Sequence, residues 1–214
     1  MPATFAKVAP KKEFKQVEQT KNQVLFTDYE MVQAETRWIR NTNTYNPAEN
    51  TVISVFNNYF GGGMGSLVFQ TIRESKALAY STYGFYVFPR KKADKYYMMA
   101  YVGAQADKFV EAVAAMNELL TTMPELPANL DLAKVQLKKE IQTERITQDD
   151  IIYDYIKAKD LGLNEDIRKT IYQNLDNISM KDILDVLSFN LYGFSRLSPL
   201  IVLSILISKK LRGG

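Results

Sequence analysis

The chain has 214 residues, of which 46% are hydrophobic, 12% aromatic and 24% charged, and it contains no Cys and no His. This composition is typical of a globular chain with enough apolar residues for a core, and it excludes disordered and fibrous proteins. Without thiol or imidazole groups the chain can form no disulfide, no Cys or His zinc site, no cysteine nucleophile and no Ser-His-Asp triad.

The charge is small and unevenly distributed. There are 27 basic and 24 acidic side chains, a net charge of +3. Residues 1–22 hold five lysines and two glutamates, and residues 196–214 hold four basic side chains and no acid, so the middle of the chain carries −4. A body without clustered Lys and Arg is not expected to bind nucleic acid.

Because no apolar run is long enough for a signal peptide or a membrane span, we expect a soluble chain without membrane contact, cytoplasmic or periplasmic.

The N-terminal part divides into an arm and the start of a domain. Residues 1–22 are rich in Lys and predict a flexible arm or a severed linker, and residues 23–214 predict a single domain. Aromatic and β-branched residues predict strands over 23–29 and 31–40. Asn, Thr and Pro predict a turn over 41–50. A helix follows, because apolar residues recur with helical spacing at five positions: Val52, Val55, Phe56, Tyr59 and Phe60.

The remaining elements are predicted in the same way. A second helix over 66–76 leads to strands over 79–88 and 96–104, which a charged turn over 90–95 separates. Helices are then predicted over 109–123, 130–145, 150–161, 165–174 and 179–189, and a last strand over 200–207. With sequential strands as neighbours and helices grouped between them, this order predicts an α+β fold, a two-layer sandwich of a largely antiparallel sheet packed against helices.

Two features stand out as candidate functional residues. Residues 60–66, Phe-Gly-Gly-Gly-Met-Gly-Ser, lack the Lys of a phosphate-binding loop and follow a helix, so on their own they predict a helix C-cap, a close backbone approach and a Ser N-cap. Arg73 and Tyr80 flank a predicted turn through Ala77 that would point both side chains at one site. Taken alone, these two residues are better explained as a solvated Arg and a core Tyr.

Together, residues 60–83 (FGGGMGSLVFQTIRESKALAYSTY) resemble the C-terminal half-domain of the pitrilysin/insulinase family of zinc metallopeptidases. The resemblance includes the Gly-Gly-Gly turn, Phe-Gln, Ile-Arg-Glu, Leu-Ala-Tyr-Ser and the seven-residue interval from Arg73 to Tyr80. It extends from about residue 24 to residue 190, including Tyr-Glu-Met-Val-Gln-Ala at 29–34 and Ala-Lys-Asp-Leu-Gly-Leu at 158–163.

The resemblance implies one half of a two-half enzyme. Family members close two homologous halves around a peptide, and only one half carries zinc, through an inverted His-x-x-Glu-His motif. A chain without His is therefore expected to bind no metal and to be inactive alone, with zinc in a partner half supplied in cis or in trans. By the same resemblance Tyr80 would stabilise the oxyanion and Arg73 would hold the peptide. Gly61, Gly62, Gly63 and Ser66 would contact the substrate.

Two departures from the family pattern leave alternatives open. Many members have Ser-Arg where this chain has Ser66 and Leu67, and residues 191–214 fit the family's last strand only loosely. The sequence is thus compatible with the substrate-binding half of a zinc peptidase, with a non-catalytic structural subunit, and with a module that binds an extended peptide at a sheet edge. A homodimer also remains open.

Overall fold

The structure, a computed structural model, describes residue 16 and residues 23–28, 32–191 and 202–207. Within them five strands form one sheet in the order β1-β5-β2-β4-β3. The β1–β5 pair is parallel and the other three pairs are antiparallel, which confirms the predicted α+β fold with a largely antiparallel sheet. The strands are β1 Gln23–Asp28, β2 Gln33–Thr44, β3 Ser81–Val87, β4 Lys95–Gln105 and β5 Val202–Ile207.

Helices cover one face of this sheet. Alternate residues of β2, namely Ala34, Thr36 and Trp38, are buried because they face the helical layer. The Trp38 indole donates a hydrogen bond to the Asn117 side chain across this interface, at 2.9 Å. The α-helices of the described residues are α1 Asn50–Phe60, α2 Phe109–Thr121, α3 Pro127–Thr143, α4 Gln148–Asp160, α5 Ile167–Asn174 and α6 Met180–Leu191.

Most predicted elements are confirmed within a few residues, including the charged turn between β3 and β4. The first turn was predicted too early, because β2 continues through Thr44 and pairs with β4 beyond a register shift. Ser179 and Asp182 form a capping box at the start of α6. Asp182 accepts a hydrogen bond from the Ser179 amide at 2.8 Å and donates its own amide to the Ser179 hydroxyl at 3.3 Å.

The pairing of the first two strands differs from the prediction that sequential strands are neighbours. β5 lies between β1 and β2, so that Trp38 is in register with Leu203. Local patterns cannot reveal such a pairing, because it joins the two ends of the chain. The strand predicted over 200–207 is present as β5, and the rest of the tail lies outside the described residues.

The predicted arm and one part of the family resemblance also fall largely outside the described residues. Residues 29–31 are not described, nor is any residue of 1–22 apart from Gln16. The Gln16 side chain donates to the Lys95 carbonyl at 3.2 Å and accepts from the Lys95 amide at 2.7 Å. The first residue of β4 is therefore paired with a side chain from the N-terminal segment.

The outer edge of β3 is closed by a side chain of α1. The Asn57 amide group donates to the Tyr86 carbonyl at 2.9 Å and accepts from the Tyr86 amide at 2.7 Å. Asn57 thus supplies the pair of hydrogen bonds that a further strand would otherwise make at this position. An edge closed in this way is protected against strand addition by another chain.

We expect Asn57→Ala to lower the free energy of unfolding by about 1–3 kcal/mol, because the Tyr86 amide and carbonyl would lose their partners in a partly buried place. Asn58→Ala is the matched control on the same helix, since the Asn58 side chain makes only a 3.5 Å contact with the Ser54 carbonyl. Urea unfolding measures both variants, and equal losses of stability would contradict the role of Asn57.

Candidate functional site

A wide helical turn and a strained residue place the two candidate side chains. Residues Phe69–Ser75 form a π-helix, in which the Lys76 amide donates to the Thr71 carbonyl at 3.2 Å, five residues back. Ala77 then has φ +48°, a left-handed value uncommon for a residue with a side chain. This confirms a turn at Ala77, and the turn separates Arg73 from Tyr80.

Arg73 lies on the exposed side of the π-helix, with its side chain 47% exposed. The carbon at the centre of its guanidinium group lies 4.8 Å from the centre of the Phe69 ring, so the guanidinium packs on the face of this ring in a cation–π contact. Among the described residues its nearest carboxylate is that of Glu74, with 4.0 Å between Nε and Oε1. The guanidinium group is therefore held in position while it remains open to solvent.

Tyr80 directly precedes β3 and is 51% exposed, so it is not a core tyrosine. Its amide donates to the Gly103 carbonyl of β4 at 2.9 Å, and its hydroxyl oxygen accepts a hydrogen bond from the Gln105 side chain. With its oxygen engaged in this way, the phenol has its own proton to donate elsewhere. Among the described residues no hydrogen bond joins Tyr80 to Arg73.

The glycine-rich link allows α1 to approach β3 closely. Gly61 caps α1 by donating its amide to the Asn57 carbonyl at 3.2 Å. A Cβ atom at Gly61 would lie 2.3 Å from the amide nitrogen of Gly84 in β3, a distance that no side chain permits. The predicted helix cap and close backbone approach are both confirmed.

The other residues of the link differ in their surroundings. A Cβ atom at Gly62 would lie 2.8 Å from the Asn57 carbonyl oxygen, and one at Gly63 would meet only the Gln136 side chain, at 3.0 Å. Ser66 is 2% exposed and occupies the predicted N-cap position, since its carbonyl accepts from Gln70 at 3.0 Å. Its hydroxyl does not accept from the helix but donates to the Gly63 carbonyl at 2.6 Å.

A polar and aromatic row crosses the sheet face opposite the helices, and no motif in the sequence predicted it. The rings of Tyr83 and Tyr101 stack with centres 4.9 Å apart, and the Arg37 guanidinium lies 5.2 Å above the Tyr101 ring. Arg37 also binds Glu35 at 2.9 Å. The sequence shows this row only as an alternation along β2, in which the charged Glu35 and Arg37 lie between Ala34, Thr36 and Trp38.

This row adjoins Tyr80. Gly103, whose carbonyl accepts from the Tyr80 amide, lies in register with Glu35 on one side and with Ser81 on the other. Burial, and to a smaller extent the Glu35 carboxylate, raises the pKa of Tyr101, so this phenol stays protonated at neutral pH. The sheet face beside Tyr80 therefore presents stacked aromatic rings together with the ion pair of Arg37 and Glu35.

Nothing in the described part of the chain fits a zinc site. No three carboxylate, imidazole or thiol side chains come together there in a way that could hold a metal ion, and the whole chain lacks His and Cys. The helices among these residues are also too short or too polar to cross a bilayer.

Residues 2–137 match the family described as the peptidase M16 inactive domain. The chain belongs to this family. The match confirms the resemblance to the non-metal half of pitrilysin-type peptidases. No curated protein matches the chain.

Solved structures share the fold of this M16 inactive domain. A protease from Helicobacter pylori is 13% identical, with a TM-score of 0.72 over 94% of this chain and 47% of its own. A peptidase M16 inactive domain from Pseudomonas fluorescens is 15% identical, with a TM-score of 0.69 over 90% and 44%. A chain of complex III2 from Candida albicans is 14% identical, with a TM-score of 0.62 over 87% and 46%. This chain spans less than half the length of each.

The link makes a prediction about stability. We expect Gly61→Ala to destabilise the fold by about 2 kcal/mol or more, because the added methyl group would collide with the Gly84 backbone. Gly65→Ala is the matched control in the same link, since a Cβ atom there has no neighbour within 4 Å. Thermal unfolding compares the two variants, and an unchanged melting temperature for Gly61→Ala would contradict the close approach.

Proposed function

We propose that this chain is the substrate-binding, non-metal half of a zinc metalloendopeptidase. A partner half with a His-x-x-Glu-His motif, in cis or in trans, holds the zinc, and this chain supplies Tyr80 and Arg73 to the peptide. Membership of the M16 inactive-domain family supports the proposal, since such a half works beside a catalytic one. The observation that carries it is the exposed Tyr80 phenol, whose oxygen accepts from Gln105.

Tyr80 acts on the charge that develops during hydrolysis. Water, activated by the partner's zinc, adds to the peptide carbonyl and leaves negative charge on the carbonyl oxygen. The Tyr80 hydroxyl donates a hydrogen bond to that oxygen. Gln105 assists by donating to the phenol oxygen, which orients the phenol proton away from the sheet and towards the substrate.

Arg73 binds the peptide substrate in the ground state, before hydrolysis begins. Its guanidinium is permanently charged, carries several N–H donors and rests on the Phe69 ring. It holds a neighbouring carbonyl of the peptide and so sets which bond lies opposite Tyr80. Arg73 therefore binds and positions the substrate without taking part in proton transfer.

In the proposed enzyme the glycine-rich link also faces the peptide. Gly62 and Gly63 present their backbone to the peptide, Gly61 holds the link against β3, and Ser66 shapes it through its hydrogen bond to the Gly63 carbonyl. Since Ser66 is buried, its contribution to substrate binding is through the conformation of the link. Binding of the peptide as an added strand beside β3 is disfavoured, because the Asn57 side chain occupies the outer edge of β3 at Tyr86.

We expect Tyr80→Phe to reduce kcat about 10²- to 10³-fold in the complex of this chain with its zinc-binding half, the loss typical of removing one oxyanion donor. Tyr153→Phe is the matched control, because Tyr153 is 70% exposed on α4 and has no assigned role. Peptide cleavage by the purified complex measures both. A Tyr80→Phe complex at full rate would exclude the oxyanion role.

A different signature is expected for Arg73→Ala. Because this side chain holds the ground state as well as the transition state, KM should rise roughly tenfold with little change in kcat. Arg73→Lys should recover only part of the loss, since an ammonium group lacks the fork of N–H donors. Steady-state kinetics on the same complex separates the two constants. A fall in kcat at constant KM would assign Arg73 to the chemical step instead.

A further inference from the structure

The Phe69 ring contacts Arg73 through the flat face of the guanidinium group, with 4.8 Å between the guanidinium carbon and the ring centre. The N–H donors of a guanidinium group lie in its plane and point away from its faces. A cation–π contact therefore restrains the group without engaging any of its donors.

Carboxylates restrain an arginine in a different way. Arg168 in the helical layer is bound by three carboxylates, among them that of Glu144 at 2.9 Å, and its donors are engaged by these contacts. At Arg73 the nearest described carboxylate is 4.0 Å away, beyond hydrogen-bond distance. No hydrogen bond joins the Arg73 side chain to another described residue. The two arginines are thus held by opposite means, one through its donors and one through its face.

The wide helical turn brings the two side chains together. Phe69 is the first residue of the π-helix and Arg73 follows it by four positions, a spacing that places side chains on the same side of a helix. Phe69 is partly buried, whereas the Arg73 side chain is 47% exposed. The protein therefore restrains the ring more tightly than the guanidinium, and the ring can fix the position of the arginine.

We propose that Phe69 is a positioning residue for Arg73, and that the aromatic face of Phe69, not its bulk, keeps the guanidinium donors available to the peptide carbonyls. This inference rests on the proposed function, because it concerns how Arg73 binds the peptide. A long side chain loses rotamer entropy when it binds a ligand. Contact with the ring reduces this loss in advance, and no carboxylate competes with the neutral carbonyls for the donors.

Steady-state kinetics of the complex with the zinc-binding half tests the proposal. Phe69→Leu keeps an apolar side chain but removes the ring, and KM should rise about two- to fivefold at nearly constant kcat, the range that an exposed cation–π contact implies. Phe69→Tyr keeps a ring and should retain the wild-type KM. Tyr172→Leu is the matched control, since it removes the ring that lies 5.4 Å from the Lys138 ammonium in the helical layer, and it should leave KM unchanged.

A double variant separates positioning from a merely structural role. When Arg73 is already replaced by Ala, Phe69→Leu should raise KM no further, because the ring acts only through the guanidinium group. An equal rise in KM with and without Arg73 would overturn the proposal. So would a wild-type KM for Phe69→Leu, or an equal rise in KM for Phe69→Tyr and Phe69→Leu.

NMR of the full chain gives a second measurement that needs neither partner nor cleavage. The ring current of Phe69 should shift the Arg73 Nε–H proton signal upfield, and this shift should disappear in Phe69→Leu and persist in Phe69→Tyr. Circular dichroism shows whether each variant is folded. An Arg73 signal that is the same in wild type and in folded Phe69→Leu would overturn the proposal.

The two measurements also distinguish failure of this inference from failure of the proposed function. An Arg73→Ala complex with an unchanged KM would contradict the binding role of Arg73 and, with it, the role of Phe69. A raised KM for Arg73→Ala together with an unchanged KM for Phe69→Leu would contradict the positioning role alone.

Discussion

The end of α1 lies against β3 because Gly61 and Gly84 meet without side chains between them. Asn57, one turn earlier, joins the same two elements through its paired hydrogen bonds to Tyr86. These contacts fix the helical layer on the sheet, and they also place the glycine-rich link that follows α1. The link leads on to the π-helix that carries Arg73, and β3, which meets Gly61 at Gly84, directly follows Tyr80, so both candidate residues are connected to this junction.

The second constraint is the absence of imidazole and thiol groups. A chain without His or Cys cannot hold a catalytic zinc ion in the usual way, and its described carboxylates do not gather into a substitute. What the fold does offer is donors: an exposed guanidinium, an exposed phenol supported by Gln105, and a backbone link rich in glycine. In the proposed enzyme these groups would stabilise charge and orient the peptide, while the partner half would hold the metal.

Some of this could be predicted from the sequence, because it follows from local rules. Helical spacing from Val52 to Phe60 predicted α1, and the triple glycine predicted its end. The roles of Arg73 and Tyr80 were inferred from the family resemblance of residues 60–83, because their spacing alone is weak evidence, and they remain a prediction. Other features depend on contacts between distant residues. The insertion of β5 between β1 and β2, and the row of Tyr83, Tyr101 and Arg37, arise from strand pairing that no local pattern reports.

Cleavage by the native complex tests the central claim most directly. The tagged chain would be purified with its bound partners from its own cells, and peptide hydrolysis would be measured before and after chelation and after zinc is restored. We predict hydrolysis that the chain alone lacks, that chelation abolishes and that zinc restores, in a complex containing a His-x-x-Glu-His protein. A folded chain whose native complex cleaves no peptide in the presence of zinc would contradict the proposed role.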